Sequence, residues 1–314
     1  VICPGNTRSR SRLRGSSDPV SLETLRERYD EAVGLLRSCR LCPRACGVDR
    51  LAGETGYCGA DGAATVAAVS VHHGEEPPIS GGRGSGTVFF SRCNMACLFC
   101  QNYPISQMGA GRRMTAGELG NRLLWLERKG AHNVNFVTPT PHVPQLIGAL
   151  LAAREKGFSL PVVYNTGGYD SMEALSLLEG IVDVYLPDMK YRSDELSGLA
   201  SGVPDYAFHN KRAVSEMLRQ VGPLKRGRDG IARRGLLIRH LVLPERVEET
   251  ERVLAFICGK YGRRIPLSLM GQYFPAHRAG SVEGLGRKLS AAEYVRAIEA
   301  ARRLGLSDVY IQEI

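Results

Sequence analysis

No run of eighteen apolar residues occurs in this 314-residue sequence, so no segment reads as a transmembrane helix. Acidic side chains are missing from the first seventeen residues, which are rich in Ser and Arg. No apolar signal-peptide core follows those arginines, and the expectation is a cytoplasmic protein with a disordered tail over residues 1–17. Aromatics are absent from both basic runs: Arg8, Arg10, Arg12 and Arg14, then Lys225, Arg226, Arg228, Arg233 and Arg234. The net charge of +9, from 41 Lys and Arg against 32 Asp and Glu, therefore reads as solvated faces rather than a nucleic-acid surface. No repeat of 20–50 residues appears.

Cysteine is present and grouped. Seven of the nine cysteines fall between residues 39 and 100. Tight CxxC spacings in a cytosolic-looking chain suggest metal rather than disulfides. Cys3 reads as a tail thiol, and Cys258, in a helical pattern, as a small buried apolar residue.

Apolar periodicity predicts a helix over residues 21–37, with Leu22, Leu25, Tyr29, Val33 and Leu36 on one face and Ser21 as N-cap. Residues 38–60 read as a Gly-rich loop carrying the first cysteines. Residues 61–85 read as irregular, with a short strand at Thr65–Val71. Strands are then expected at Thr87–Ser91, Asn133–Thr138, Pro161–Asn165, Val182–Leu186, Gly235–Leu243 and Ile265–Met270, with a last one at 308–312. Helices are expected at 115–130, 142–156, 171–179, 206–220, 246–259 and 290–304. The alternation argues for an α/β fold of parallel strands with crossover helices. Six strands suit an open, partial (β/α)6 barrel, with chemistry at the carboxyl ends of the strands. The expected division is a tail (1–17), a helix with a cysteine-rich metal-binding extension (18–80) and the barrel (81–314).

Directly after the first strand of the barrel stands Cys93-x3-Cys97-x2-Cys100, with Phe99 before the third cysteine and Gln101-Asn102 after it. A [4Fe-4S] cluster usually takes four thiolates, so three leave one iron open to an outside ligand. A three-ligand zinc site and structural thiols are the alternatives. The triad resembles the signature of the radical S-adenosylmethionine (SAM) superfamily. More narrowly, Cys39–Cys58, Gly86–Asn102, Gly130–Pro141, Val162–Gly168, Glu179–Lys190 and Arg234–Pro244 look like relatives of pyruvate formate-lyase activating enzyme.

That resemblance implies that the open iron chelates SAM, and that one electron cleaves it to methionine and a 5′-deoxyadenosyl radical. The radical then removes hydrogen from a substrate. It implies reduced flavodoxin or ferredoxin as electron donor. It raises a glycyl-radical enzyme as partner, with a peptide or small molecule as the other substrate classes. Family members carry Gly-Gly-Glu after the second strand. Here Val137-Thr138-Pro139-Thr140-Pro141-His142 stands in its place, and Thr138 or Thr140 is left to accept the SAM ammonium, with His142 as a helix cap or substrate contact. Asn165 replaces an aspartate that helps bind a monovalent cation. Asp188 and Lys190 match a segment near SAM, where they hold its charged groups or each other. Arg239 matches an arginine that forks the SAM carboxylate. His240 reads as a core histidine, and Gln272, Tyr273 and His277 as reaching the same mouth.

The earlier set, Cys39-x2-Cys42-x3-Cys46-x11-Cys58, offers four thiolates and no open position. That chemistry suits a second [4Fe-4S] cluster or structural zinc. With a cluster, electron transfer or a structural role follows. A non-catalytic zinc module binding nucleic acid through the basic runs is the rival from another class.

Overall fold

The computed structural model describes residues 20–312; the tail and Cys3 lie outside them. Helix α1 (Leu22–Gly34) starts at Ser21, whose hydroxyl accepts the Thr24 N–H at 3.0 Å. Strand β1 (Ala64–His72) leads through the single turn α2 (Pro77–Ser80) into β2 (Ser85–Phe90). After the cysteine loop come α3 (Tyr103–Ser106), β3 (Arg112–Met114) and α4 (Ala116–Arg128). Thr115 and Glu118 close α4 with a reciprocal capping box.

Strands and helices then alternate. They are β4 (Val134–Val137), α5 (Val143–Arg154), β5 (Val162–Thr166), α6 (Met172–Leu178), β6 (Val184–Pro187), α7 (Asp194–Ser201) and α8 (Tyr206–Val221). The short β7 (Lys225–Arg226) turns into β8 (Ala232–Leu236) and β9 (Ile238–Leu241). Helix α9 (Val247–Tyr261), β10 (Leu267–Met270), α10 (Ala291–Arg303) and β11 (Val309–Ile311) complete the order.

The sheet runs β3-β1-β2-β4-β5-β6-β8-β7, and a second one runs β11-β10-β9. Strands β2, β4, β5, β6 and β8 are parallel, as are β9, β10 and β11. The fold is α/β, with the expected partial barrel of parallel strands. The parallel strands are buried nearly throughout, which is why their sequences lack polar alternation.

Two boundaries differ from the sequence reading. The single strand expected at Gly235–Leu243 divides at Leu237: its first half pairs with β6 and its second with β10. Gly235 sits at φ 125°, and a Cβ there would meet the Leu224 Cα at 2.4 Å, so only glycine lets the hairpin close at this bend. The segment read as largely irregular contains β1, nine residues long and antiparallel to β2 along most of its length. The division expected at residue 80 is therefore no break in hydrogen bonding. Helix α1 also lies on α5, where Tyr29 rests against Gly148. The second basic run is partly committed to ion pairs, Arg226 with Asp308 and Arg233 with Asp229. Cys258 is half-buried, its thiol 3.5 Å from the Leu304 carbonyl.

Asp170 fastens the carboxyl end of β5. Hydroxyls of Thr140, Tyr164 and Thr166 donate to its carboxyl at 2.7, 2.9 and 2.8 Å, all in the buried core. Burial pushes this carboxyl up, and the hydroxyls pull it back only in part. Asp170→Ala strands three buried hydroxyls and is expected to cost about 3 kcal/mol in urea unfolding, with Asp170→Asn costing less.

Candidate active site

Strand β2 ends at the cysteine loop, which is fixed by backbone bonds to α7. Ala96 N–H donates to Ser201 O at 3.1 Å, and Leu98 N–H to Ala200 O at 2.9 Å. Each sulfur has a polar neighbour. The Met95 N–H reaches Cys93 Sγ at 3.4 Å, the Ser201 hydroxyl reaches Cys97 Sγ at 3.0 Å, and Ser106 Oγ lies 3.2 Å from Cys100 Sγ. Such donors tune sulfur-held clusters. Ser106 and Ser201 were missed by sequence reasoning, since no spacing ties them to the cysteines. Met95, Phe99, Tyr169, Tyr191, Tyr206 and Tyr273 wrap the loop in apolar side chains.

A cavity of about 800 Å³ opens beside this loop. Its wall includes Cys97, Phe99, Cys100, Asn165, Asp188, Lys190, Arg239, Gln272 and Tyr273, all named from sequence. It also includes Glu75 and Glu76, which were not. Their signal is faint, because two acids in an irregular stretch look like solvated charge. Arg239 reaches Asp188 through Nε and Nη2, each at 2.9 Å, and Lys190 Nζ reaches it at 2.5 Å. Burial pushes Asp188 up, but Arg239 and Lys190 outweigh it and hold the carboxyl below its ordinary value. The paired charges thus hold each other. Behind them, Tyr206 and Asn210 donate to the Asp188 carbonyl, each at 2.9 Å. Gly168, at φ 76°, passes so close that a Cβ would stand 2.3 Å from that carbonyl.

Thr140 does not reach the cavity, being tied to Thr166 and Asp170 in the core. Thr138 is half-buried with φ 57° and is not on the wall. His142 is wholly buried, stacked on Phe90 and 2.7 Å from the Ser91 carbonyl, and burial pushes it down to about 3. It is therefore a neutral core residue, and it precedes α5 without a side-chain capping bond. His240 is also buried, between the Met189 carbonyl (2.7 Å) and the Thr250 hydroxyl (2.9 Å), as read from sequence. His277 stacks on Tyr103 instead of lining the cavity.

The four earlier cysteines lie in one loop against the triad loop. Arg44 donates to Asn94 O at 2.7 Å and Gly202 O at 2.8 Å, and its guanidinium covers the Tyr57 ring. Asn94 is buried next to Cys93, and its amide donates to the Tyr169 carbonyl at 2.6 Å. Gly56 lets the chain pass Cys46, since a Cβ there would meet its sulfur at 2.9 Å. Arg50 is buried with Nη1 3.8 Å from Cys39 Sγ, and no carboxylate among the described residues pairs with it. Its Nε and Nη2 donate to the Asp61 carbonyl at 3.1 and 2.7 Å, and a buried guanidinium favours a counter-charge nearby. Among the described residues, no three His, Cys, Asp or Glu converge on one point as ligands of a single ion do. Thiolates on separate irons of a cluster stand further apart than that.

The radical SAM superfamily model matches residues 87–256. The chain belongs to the radical SAM superfamily. Membership implies a [4Fe-4S] cluster and SAM, and the thiol loop with its donors and adjoining cavity fits both groups. An uncharacterised protein of Methanocaldococcus jannaschii is 29% identical over 289 residues, 89% of this chain and 78% of its own. The pyruvate formate-lyase-activating enzyme of Clostridium pasteurianum is 27% identical over 192 residues, 58% of this chain and 72% of its own. Among solved structures, methylornithine synthase (PylB) has a TM-score of 0.46 at 12% identity, covering 93% of this chain and 78% of that one. Streptococcus suis SuiB bound to precursor peptide SuiA also gives 0.46 at 12%, covering 70% of this radical SAM chain. The chain matches 46% of the length of SuiB.

Burial pushes Glu75 up to about 7; Arg239 lowers it and Glu76 and Asp188 raise it. Its ordinary value is 4.5, so the fold disfavours the ionised form. Stability from this group is full below the unfolded value and is lost as pH rises through the folded one. Glu75→Gln is therefore expected to gain on the order of 2 kcal/mol over wild type at alkaline pH, and nothing near pH 4, in paired urea titrations.

Proposed function

We propose that the chain reductively cleaves SAM at a [4Fe-4S] cluster held by Cys93, Cys97 and Cys100, and that a substrate admitted to the lumen gives up a hydrogen atom. The observation that carries this reading is the single cavity in which Cys97 and Cys100 face Asp188, Lys190 and Arg239. When bound, the reduced cluster supplies one electron to the sulfonium, giving methionine and a 5′-deoxyadenosyl radical that takes hydrogen from the substrate. The protein's part is placement and exclusion of water. Arg239 Nη1 makes only a 3.9 Å contact with Glu75, which leaves that edge to a carboxylate. Phe99 and Tyr273, 5.7 Å between ring centroids, close the apolar side. Asn165 and Lys190 offer donors beside them.

Radical SAM enzymes generally draw electrons from a reduced flavodoxin or ferredoxin, and this chain is assigned the same donor class. For Cys39, Cys42, Cys46 and Cys58 we favour a second [4Fe-4S] cluster, supported by four thiols without a histidine in a loop that Arg44 ties to Asn94, beside Cys93, with zinc as the structural alternative. Glycyl-radical activation of a partner enzyme is supported by the 27% identity to the Clostridium enzyme. Modification of a small molecule or peptide side chain is supported by the charged cavity beside the cysteine loop, and is the reading we favour. No helix among the described residues is long and apolar enough to cross a membrane.

Anaerobic protein reconstituted with iron and sulfide, then given dithionite and SAM, is expected to form 5′-deoxyadenosine. Cys97→Ala should reduce the yield to background, while Cys42→Ala retains it. No product from wild type with full iron content sinks the assignment.

A further inference from the structure

Strand β1 runs antiparallel to β2, and His72 pairs with Ser85. The loop between them therefore lies at the amino ends of the parallel strands, opposite the cysteine loop. Glu75 and Glu76 leave this loop and line the same cavity as Cys97 and Cys100. Their backbone is fixed: the Ser80 hydroxyl accepts the Glu75 N–H at 3.0 Å, and Glu76 O accepts the Ile79 N–H at 2.8 Å. The Asn133 amide clamps the Ile79 carbonyl at 2.8 Å.

These carboxylates are short of donors. Glu76 is 8% exposed, and its Oε2 has no hydrogen-bond partner. Glu75 Oε2 receives one long bond, from Asn165 at 3.4 Å. Arg239 lies 3.9 Å from each glutamate, with its 2.9 Å contacts spent on Asp188. Asn135 is wholly buried beside Glu75, behind the cavity wall, and its amide lowers that carboxyl. Unmet buried acceptors are costly and call for a ligand. Charge adds a sign. Glu76 adds a carboxylate to a wall whose two cations, Lys190 and Arg239, are already engaged by Asp188.

We propose that Glu75 and Glu76 form a recognition subsite for an organic ammonium group borne by the substrate. Resting on the lumen reading above, this anchors the substrate at the floor and leaves its remainder facing the cysteine mouth. An ammonium's donors match Glu76 Oε2 and Glu75, both on the cavity wall. The same chemistry is carried by SAM's own amino group, and the experiment separates the two.

The reconstituted holoenzyme, with and without SAM, is titrated calorimetrically with n-butylammonium and its neutral counterpart n-butanol. Wild type should bind the ammonium at least about tenfold more tightly than the alcohol. Glu76→Gln and Glu75→Gln should each erase about tenfold of that preference, while SAM affinity moves less than about threefold. Equal binding of amine and alcohol by wild type overturns the subsite, and it needs no variant to fold. Variants that lose SAM but keep the amine assign the carboxylates to SAM and also overturn it. Because 5′-deoxyadenosine is scored separately, failure here is distinguishable from failure of SAM cleavage.

Discussion

The buried pair of Asp188 and Arg239 sits where the two sheets meet. Their residues form the parallel bridge between the end of β6 and β9, and the Met189 N–H donates to Arg239 O at 2.8 Å. Backbone and side chains thus make the same junction. Breaking one partner of such a pair strands the other charge away from water, which costs several kcal/mol. The lumen depends on this junction, because β9 and β10 meet the ends of β4 to β6 there and both groups of strands contribute to its wall. Tyr206 and Asn210 of α8 brace it from behind, so the helix layer also positions the strand end. Lys190 completes the set and faces Cys97, which joins the charge pair to the thiol loop.

Much of this was legible in the sequence because it follows from strict patterns. Apolar β-branched runs between helical periods gave the parallel strands in order. The cysteine triad follows β2, and Asp188, Lys190 and Arg239 line the cavity beside it. What was illegible has physical reasons. Glu75 and Glu76 enter the lumen from a hairpin whose sequence has no strong periodicity, and only the antiparallel return of β1 takes them there. Thr140 looked free to bind a cofactor, but three hydroxyls converge on Asp170, a residue with no motif to mark it. The split of the fifth strand at Leu237 is a change of pairing partner, from β6 to β10, which local propensity does not encode.

The earlier cysteine loop is packed onto the barrel rather than appended to it. Arg44 spans from Tyr57 to the carbonyls of Asn94 and Gly202, so one side chain touches both cysteine regions. Arg50 is buried against the thiols with no carboxylate partner among the described residues.

Electron–nuclear double resonance on the reduced, reconstituted protein with nitrogen-15-labelled SAM amino group tests the central claim most directly. The account predicts a hyperfine coupling between that nitrogen and the cluster, because Cys93, Cys97 and Cys100 would leave one iron of a [4Fe-4S] cluster without a thiolate and open to the SAM amine. Tight SAM binding without such a coupling would contradict an open iron at the Cys93, Cys97 and Cys100 loop.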